Sequence, residues 1–125
     1  MARLRILIAD DEEGIRESLK LILEGEYDLV FAQHGKETLA KLARERFDLA
    51  LLDIKMPKLD GLEVLKQMKQ QRLATPVIIL TAYQSVELAK EAIKLGALDY
   101  LPKPFTRDQI LESIHDVLRR DGASL

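Results

Sequence analysis

The sequence contains no cysteine, which removes disulfide frameworks, thiolate nucleophiles and thiolate metal sites from consideration. It has no apolar run long enough to span a bilayer. Its first residues, Met1-Ala-Arg-Leu-Arg, lead straight into a strand-like run without the apolar core of a signal peptide, so a cytoplasmic setting is expected. A net charge of only −2 argues against a general binder of nucleic acid or of membrane surfaces. Internal repeats and low-complexity segments are absent as well. What remains is 125 residues, 47% hydrophobic and 32% charged, a composition that supports one globular domain with its own core.

Hydrophobic periodicity divides the chain into alternating short apolar runs and amphipathic stretches. Leu4–Ala9 (LRILIA) reads as a buried strand, followed by a helix carrying Ile15, Leu19, Ile22 and Leu23 and stopped near Gly25. Tyr27–Ala32 is a second strand, and Lys36–Glu45 a helix expected to bury Leu39, Leu42 and Ala43. Leu49–Asp53 is a third strand, and Leu62, Leu65 and Met68 stripe the next helix. Pro76 opens a fourth strand ending at Thr81; Ser85–Leu95 is a helix expected to bury Ala89, Ala92 and Ile93, with Gly96 as its C-terminal stop. Asp99–Pro102 is a fifth strand, and Thr106 caps a last helix marked by Ile110, Ile114, Val117 and Leu118. Residues 1–120 are expected to form the domain, and 121–125 (DGASL) a linker start or frayed tail.

Strict alternation with short loops predicts an α/β fold with a parallel sheet covered by helices on both faces. The first, third and fourth strands are almost wholly apolar, which places them centrally. The expected architecture is therefore a doubly wound five-stranded sheet of order 2-1-3-4-5, the flavodoxin-like arrangement.

In a parallel sheet all C-terminal strand ends share one edge. Asp10 and Asp11 follow the first strand, Asp53 ends the third, Thr81 ends the fourth and Lys103 follows the fifth. Taken singly, each has an ordinary explanation: a turn-starting aspartate, a capping threonine, a solvated lysine, acids at a helix N-terminus. Together they predict three carboxylates, a hydroxyl and an ammonium converging on one crevice. Three crowded carboxylates repel, and one ammonium does not neutralise them. The cluster thus predicts a divalent cation, and oxygen ligands without histidine or cysteine favour Mg²⁺ or Mn²⁺. Magnesium bound by few carboxylates suits a phosphoryl group as the remaining ligand. Asp10 and Asp11 would then hold the metal, Asp53 would act as nucleophile on phosphorus, Lys103 would neutralise phosphoryl oxygens and Thr81 would hydrogen-bond the attached group. His34 and His115, alone among polar neighbours, read as surface residues, and Lys36, Lys41, Arg44 and Arg46 as a solvated helix face.

With these residues assembled, the segments ILIADDE, LLDIKMPKLDG, VIILTAY and GALDYLPKPF resemble the receiver domain of two-component response regulators over essentially the whole length. The resemblance implies that Asp53 is the phosphoacceptor, supplied by a sensor histidine kinase or phosphotransfer protein. It implies Asp11 as the main metal carboxylate, with Asp10 beside it, Asp53 itself, and the backbone carbonyl of Lys55. It implies Thr81 and Tyr100 as a switch pair, Ala82 beside Thr81 among the phosphate-binding positions, and a cis Lys103–Pro104 peptide. Lys55 and Tyr83 fall where the family tunes self-dephosphorylation, and neither orients an attacking water, so a phosphoryl lifetime of many minutes is expected.

The resemblance further implies an output surface built from the helix Ser85–Leu95, the fifth strand and the last helix, contacting an output domain and supporting homodimerisation on phosphorylation. The segment SVELAKEAIKLGALDYLPKPF looks closer to receivers attached to AAA+ activators of sigma-54 transcription than to winged-helix regulators. A stand-alone phosphorelay receiver is the alternative. A phosphatase of the haloacid-dehalogenase type, which also uses an aspartyl nucleophile, needs an acid two residues later, where this chain has Lys55. The expectation is a switch that catalyses its own phosphorylation and slow dephosphorylation, not a conventional enzyme.

Overall fold

The computed structural model describes residues 3–120; the linker expected over 121–125 lies outside them. Five strands and five helices alternate: β1 Arg5–Ala9, α1 Glu13–Leu23, β2 Asp28–Ala32, α2 Gly35–Arg44, β3 Leu49–Leu52, α3 Gly61–Gln70, β4 Val77–Thr81, α4 Val86–Lys94, β5 Asp99–Pro102 and α5 Arg107–Arg120. The strands form one parallel sheet of order β2-β1-β3-β4-β5, as the burial pattern predicted.

Side chains on a strand alternate between faces, and the core divides accordingly. Leu7, Ala9, Ala50, Leu52, Val77 and Ile79 point to one face, where they pack with Leu42, Val64, Leu65, Met68 and Ala92 from α2, α3 and α4. Ile6, Ile8, Leu49, Leu51, Ile78 and Leu80 point to the other, against Leu19 and Leu23 of α1 and Ile110, Ile114, Val117 and Leu118 of α5. A two-sided core explains why the central strands are apolar throughout rather than alternating. Burying each large aliphatic side chain contributes about 1.5–3 kcal/mol, so these two layers fix the strand positions independently of anything at the site.

The helix ends are chemically marked. Asp60 caps α3 by accepting from Glu63 N–H at 2.9 Å, Ser85 caps α4, and Thr106 Oγ1 accepts from Gln109 N–H at 3.1 Å ahead of α5. Gly96, just past α4, takes φ of 113°, a region open to glycine.

Several expectations need correction. The first two strands start one residue later than expected, at Arg5 and Asp28, and β3 stops at Leu52, leaving Asp53 just beyond it. Ala43 is exposed, while Gly35, Thr38 and Leu42 form the buried row of α2. Ile93 is 49% exposed; α4 meets the core through Leu88, Ala92 and Leu95. In both helices the misjudged residue directly follows a buried one, about 100° further round the helix, and each helix covers too little of the sheet to shelter that second row. Leu62 is partly buried beside a fully buried Val64.

Candidate functional site

The sheet itself brings the polar residues together. One parallel hydrogen bond continues past each strand end: Asp10 N–H donates to Ala32 O at 3.1 Å, Asp53 N–H to Ala9 O at 2.9 Å, and Lys103 N–H to Thr81 O at 2.8 Å. The side chains that follow β1, β3 and β5 are thus set by backbone geometry at one edge of the sheet. Gly61 holds the start of α3 beneath them, with its N–H 2.7 Å from Ile54 O. A Cβ there would lie 2.3 Å from the Asp53 carbonyl oxygen, so this close approach needs glycine. The Lys103–Pro104 peptide is cis.

Asp10, Asp53, Thr81 and Lys103 are all buried. The Lys103 ammonium lies 2.6 Å from Asp10 Oδ2, 3.3 Å from Asp53 Oδ2 and 3.4 Å from Glu12 Oε1. The Asp53 carboxyl is raised from 3.8 to about 6, first by burial and then by the Asp10 charge, with Lys103 and the Lys55 N–H opposing. The Asp10 carboxyl is also raised, chiefly by burial, with its Lys103 and Glu12 N–H hydrogen bonds opposing. Burial works against the Lys103 ammonium, but its hydrogen bond to Asp10 and the charges of Asp10, Asp53 and Glu12 outweigh this and raise its pKa. The ammonium stays charged, and the site holds more negative than positive charge.

That excess is concentrated. Carboxylate oxygens of Asp10, Asp11, Glu12 and Asp53 come within 4.8 Å of one another. A set of oxygen donors without imidazole or thiolate, with its buried members protonating too readily, is suited to a hard divalent cation. An open pocket of about 250 Å³ sits over these groups, lined by Asp11, Glu12, Asp53, Lys55, Thr81 and Lys103, with Ala82 and Tyr83 from the loop after β4. A larger hollow, of about 340 Å³, lies between the end of α3 and the β4 and β5 starts, but Lys69 is its one titratable lining residue; volume does not locate the chemistry here.

The residues singled out from the sequence fall into two groups. Asp10, Asp11, Lys55, Asp53, Thr81, Ala82, Tyr83 and Lys103 lie in the cluster or its pocket. Tyr100, half-buried on β5, is outside it, and its hydroxyl donates to the Tyr83 carbonyl. The link back is short, because Tyr83 N–H donates to Thr81 Oγ1 at 3.1 Å. The Lys55 ammonium stands 5.6 Å from the Tyr83 ring centroid, joining the loops after β3 and β4. Glu12 is a site residue that sequence reasoning passed over; its place directly after Asp10-Asp11 was the available signal. His34 is more than a surface residue: its Nδ1 accepts from Glu37 N–H at 3.1 Å and caps α2.

Comparison with known proteins gives a consistent picture. The family model described as "Response regulator receiver domain" matches residues 6–115. The chain is 42% identical over 124 residues to "Response regulator MprA" of Mycolicibacterium vanbaalenii, covering 95% of this chain and 54% of that protein. It is 42% identical to the "Alkaline phosphatase synthesis transcriptional regulatory protein PhoP" of Bacillus subtilis (93% and 49% covered). It is 39% identical to the "Transcriptional regulatory protein ZraR" of Salmonella typhimurium (98% and 29%). The chain therefore spans about half the length, or less, of these relatives. Among solved structures, a CheY-like receiver domain protein from Methanospirillum hungatei superposes with a TM-score of 0.91 at 36% identity, covering 99% of this chain and 100% of that one. The receiver domain of Francisella response regulator 1452 gives 0.89 at 36% identity, covering 95% and 99%.

Proposed function

The chain belongs to the response regulator receiver domain family of two-component systems, and on that premise we propose that Asp53 accepts a phosphoryl group from a sensor histidine kinase. The observation that carries this reading is the environment of Asp53: a buried carboxyl with a pKa of about 6, 3.3 Å from a buried ammonium and open to a pocket.

In the proposed transfer, an Asp53 carboxylate oxygen attacks phosphorus in line. The bond from phosphorus to the donor imidazole breaks as the new oxygen–phosphorus bond forms, and the imidazole leaves. Lys103 stands where phosphoryl oxygens would arrive and can form a charge-assisted hydrogen bond to them. Thr81 supplies a hydroxyl to the attached group. Asp10, Asp11, Asp53 and the Lys55 carbonyl would hold a divalent cation, Mg²⁺ or Mn²⁺, which when bound neutralises charge developing on the phosphoryl oxygens. Lys55, standing where an acid would be needed to release an ester leaving group, disfavours a general phosphatase.

The response would run from Thr81 through Tyr83 to Tyr100. If Thr81 turns toward a phosphoryl group, its bond to Tyr83 N–H is altered, and the Tyr83 carbonyl that receives the Tyr100 hydroxyl moves with it. We place the output surface on α4, β5 and α5, where Val86 is 64% and Ile93 49% exposed. Because two of the relatives, PhoP and ZraR, are named as transcriptional regulatory proteins, the proposed output is control of transcription by a following domain, with dimerisation as one route. Residues 1–120 would be the receiver unit.

Incubation with acetyl phosphate and Mg²⁺, followed by intact-mass measurement, tests the reading. One added phosphoryl group on the wild type and none on Asp53→Asn is expected. Equal labelling of the two, or none of the wild type, refutes it.

A further inference from the structure

Glu12 occupies the capping position of α1, yet its side chain makes no capping hydrogen bond. Short polar residues such as serine or aspartate cap from that position, and the longer glutamate leaves the first helical turn uncapped. Here the backbone N–H of Glu12 donates to Asp10 Oδ1 at 2.9 Å, and the carboxylate reaches across to Lys103 at 3.4 Å. One ammonium, with three protons, is thereby shared among three carboxylates. The side chains of Asp10 and Asp53 are 3% and 6% exposed, whereas that of Glu12 is 61% exposed. Asp10 and Asp53 are fixed by packing and by the ladder, and Glu12 is the partner free to let go.

We infer that Glu12 is a positioning residue for Lys103, which draws the ammonium away from Asp53 in the resting chain and releases it when phosphoryl oxygens enter. The inference rests on the reading of Asp53 as phosphoacceptor. Two consequences differ in cause. The charge of Glu12 adds to the field that attracts a divalent cation, an effect needing only a nearby carboxylate. Its hold on Lys103 competes with the role of that ammonium in phosphoryl transfer, an effect needing reach. Aspartate at this position keeps the charge but is one methylene shorter, so it loses the 3.4 Å contact.

Glu12→Gln and Glu12→Asp in the full chain separate these effects. With Mg²⁺ alone and no phosphodonor, the Mg²⁺ midpoint, taken as the dissociation constant fitted to the logarithmic rise of Tm with Mg²⁺ concentration, should rise about three- to tenfold in Glu12→Gln and stay within about twofold in Glu12→Asp. With acetyl phosphate at saturating Mg²⁺, an Asp53 oxygen–phosphorus bond forms as the acyl oxygen–phosphorus bond breaks and acetate leaves. The initial labelling rate should rise about two- to fivefold in both variants, because Glu12→Asp loses the reach to Lys103 and Glu12→Gln keeps the reach but loses the charge that holds the ammonium. An unchanged Mg²⁺ midpoint in Glu12→Gln, or wild-type or slower labelling in both variants, overturns the inference. Failure of the wild type to label at all refutes the phosphoacceptor reading instead, and the Mg²⁺ midpoints still judge the charge attributed to Glu12.

Discussion

Replacing Asp53 by asparagine should stabilise the metal-free protein at pH 8. The carboxyl is raised from 3.8 to about 6 in the fold, first by burial and then by the Asp10 charge. The sign follows from proton binding: between these two values the folded chain holds a proton that the unfolded chain has released, so stability falls as pH rises through this window. A displacement of about 2 units corresponds to about 3 kcal/mol once the group is ionised in both states. Asparagine has nearly the same shape and no charge, so it removes that cost. It also deprives Lys103 of one partner, but the 2.6 Å contact with Asp10 remains. A net gain of about 1–3 kcal/mol is expected, or several degrees in Tm.

Urea unfolding in EDTA at pH 5, 6, 7 and 8 measures it. The advantage of Asp53→Asn should be about half its full size at pH 5, where the folded wild type is still largely protonated, and should level off above pH 7. Saturating Mg²⁺ should narrow the gap, because a cation bound to the folded carboxylates stabilises the wild type by about 2.7 kcal/mol at a hundredfold excess over its dissociation constant. If Asp53→Asn is no more stable than wild type in EDTA at pH 8, or if the difference ignores pH, the argument from carboxylate crowding is wrong.

Removing Lys103 should act oppositely: Lys103→Met leaves Asp10 buried beside Asp53 without a cation and should cost about 3 kcal/mol at pH 8, less at pH 5 where the carboxyls can protonate, as read by the same denaturation series. Gly61→Ala should lose about 2 kcal/mol or more, because its new methyl would meet the Asp53 carbonyl at 2.3 Å. Gly25→Ala, with nothing within 4 Å of the added atom, is the control and should stay within about 1 kcal/mol of wild type; similar melting losses in both would contradict the packing argument. His34→Ala should cost about 1 kcal/mol through loss of the α2 cap, while His34→Asn, a strong capping residue, should recover it; equal Tm values for the two variants would show that the cap does not matter.

The sheet order was legible because, apart from Arg5 at the start of β1, the strands β1, β3 and β4 are apolar up to their C-terminal ends, and strands that apolar belong in the middle. The cluster was legible for a related reason: each apolar run stops at a group with chemistry, and parallel strands stop on the same edge. Helix faces were less legible. Spacing admits Ala43 and Ile93 to an apolar stripe, but which row meets the sheet depends on how much of it each short helix covers, a tertiary quantity. Glu12 was hidden by its own commonness, since acids are expected at a helix start for reasons of dipole alone. His34 was hidden by the opposite bias, because imidazole is seldom chosen as a cap although its unprotonated nitrogen accepts a hydrogen bond as an oxygen does.

These differences point to how the site is held. Side-chain forces alone would not assemble Asp10, Asp11, Glu12 and Asp53, whose charges repel and whose buried members resist ionisation. The assembly is imposed from below, by two apolar layers that fix the strands and by single backbone hydrogen bonds that extend the ladder past Ala9, Ala32 and Thr81. The sheet supplies stability and the strand ends use some of it to keep carboxylates together. On the proposed function, a bound cation or a group entering near Lys103 would relieve a strain already present, and that relief would be available to shift the loops after β3 and β4. A neutral cluster of the same shape would be more stable and, lacking that stored repulsion, would have less to release on binding.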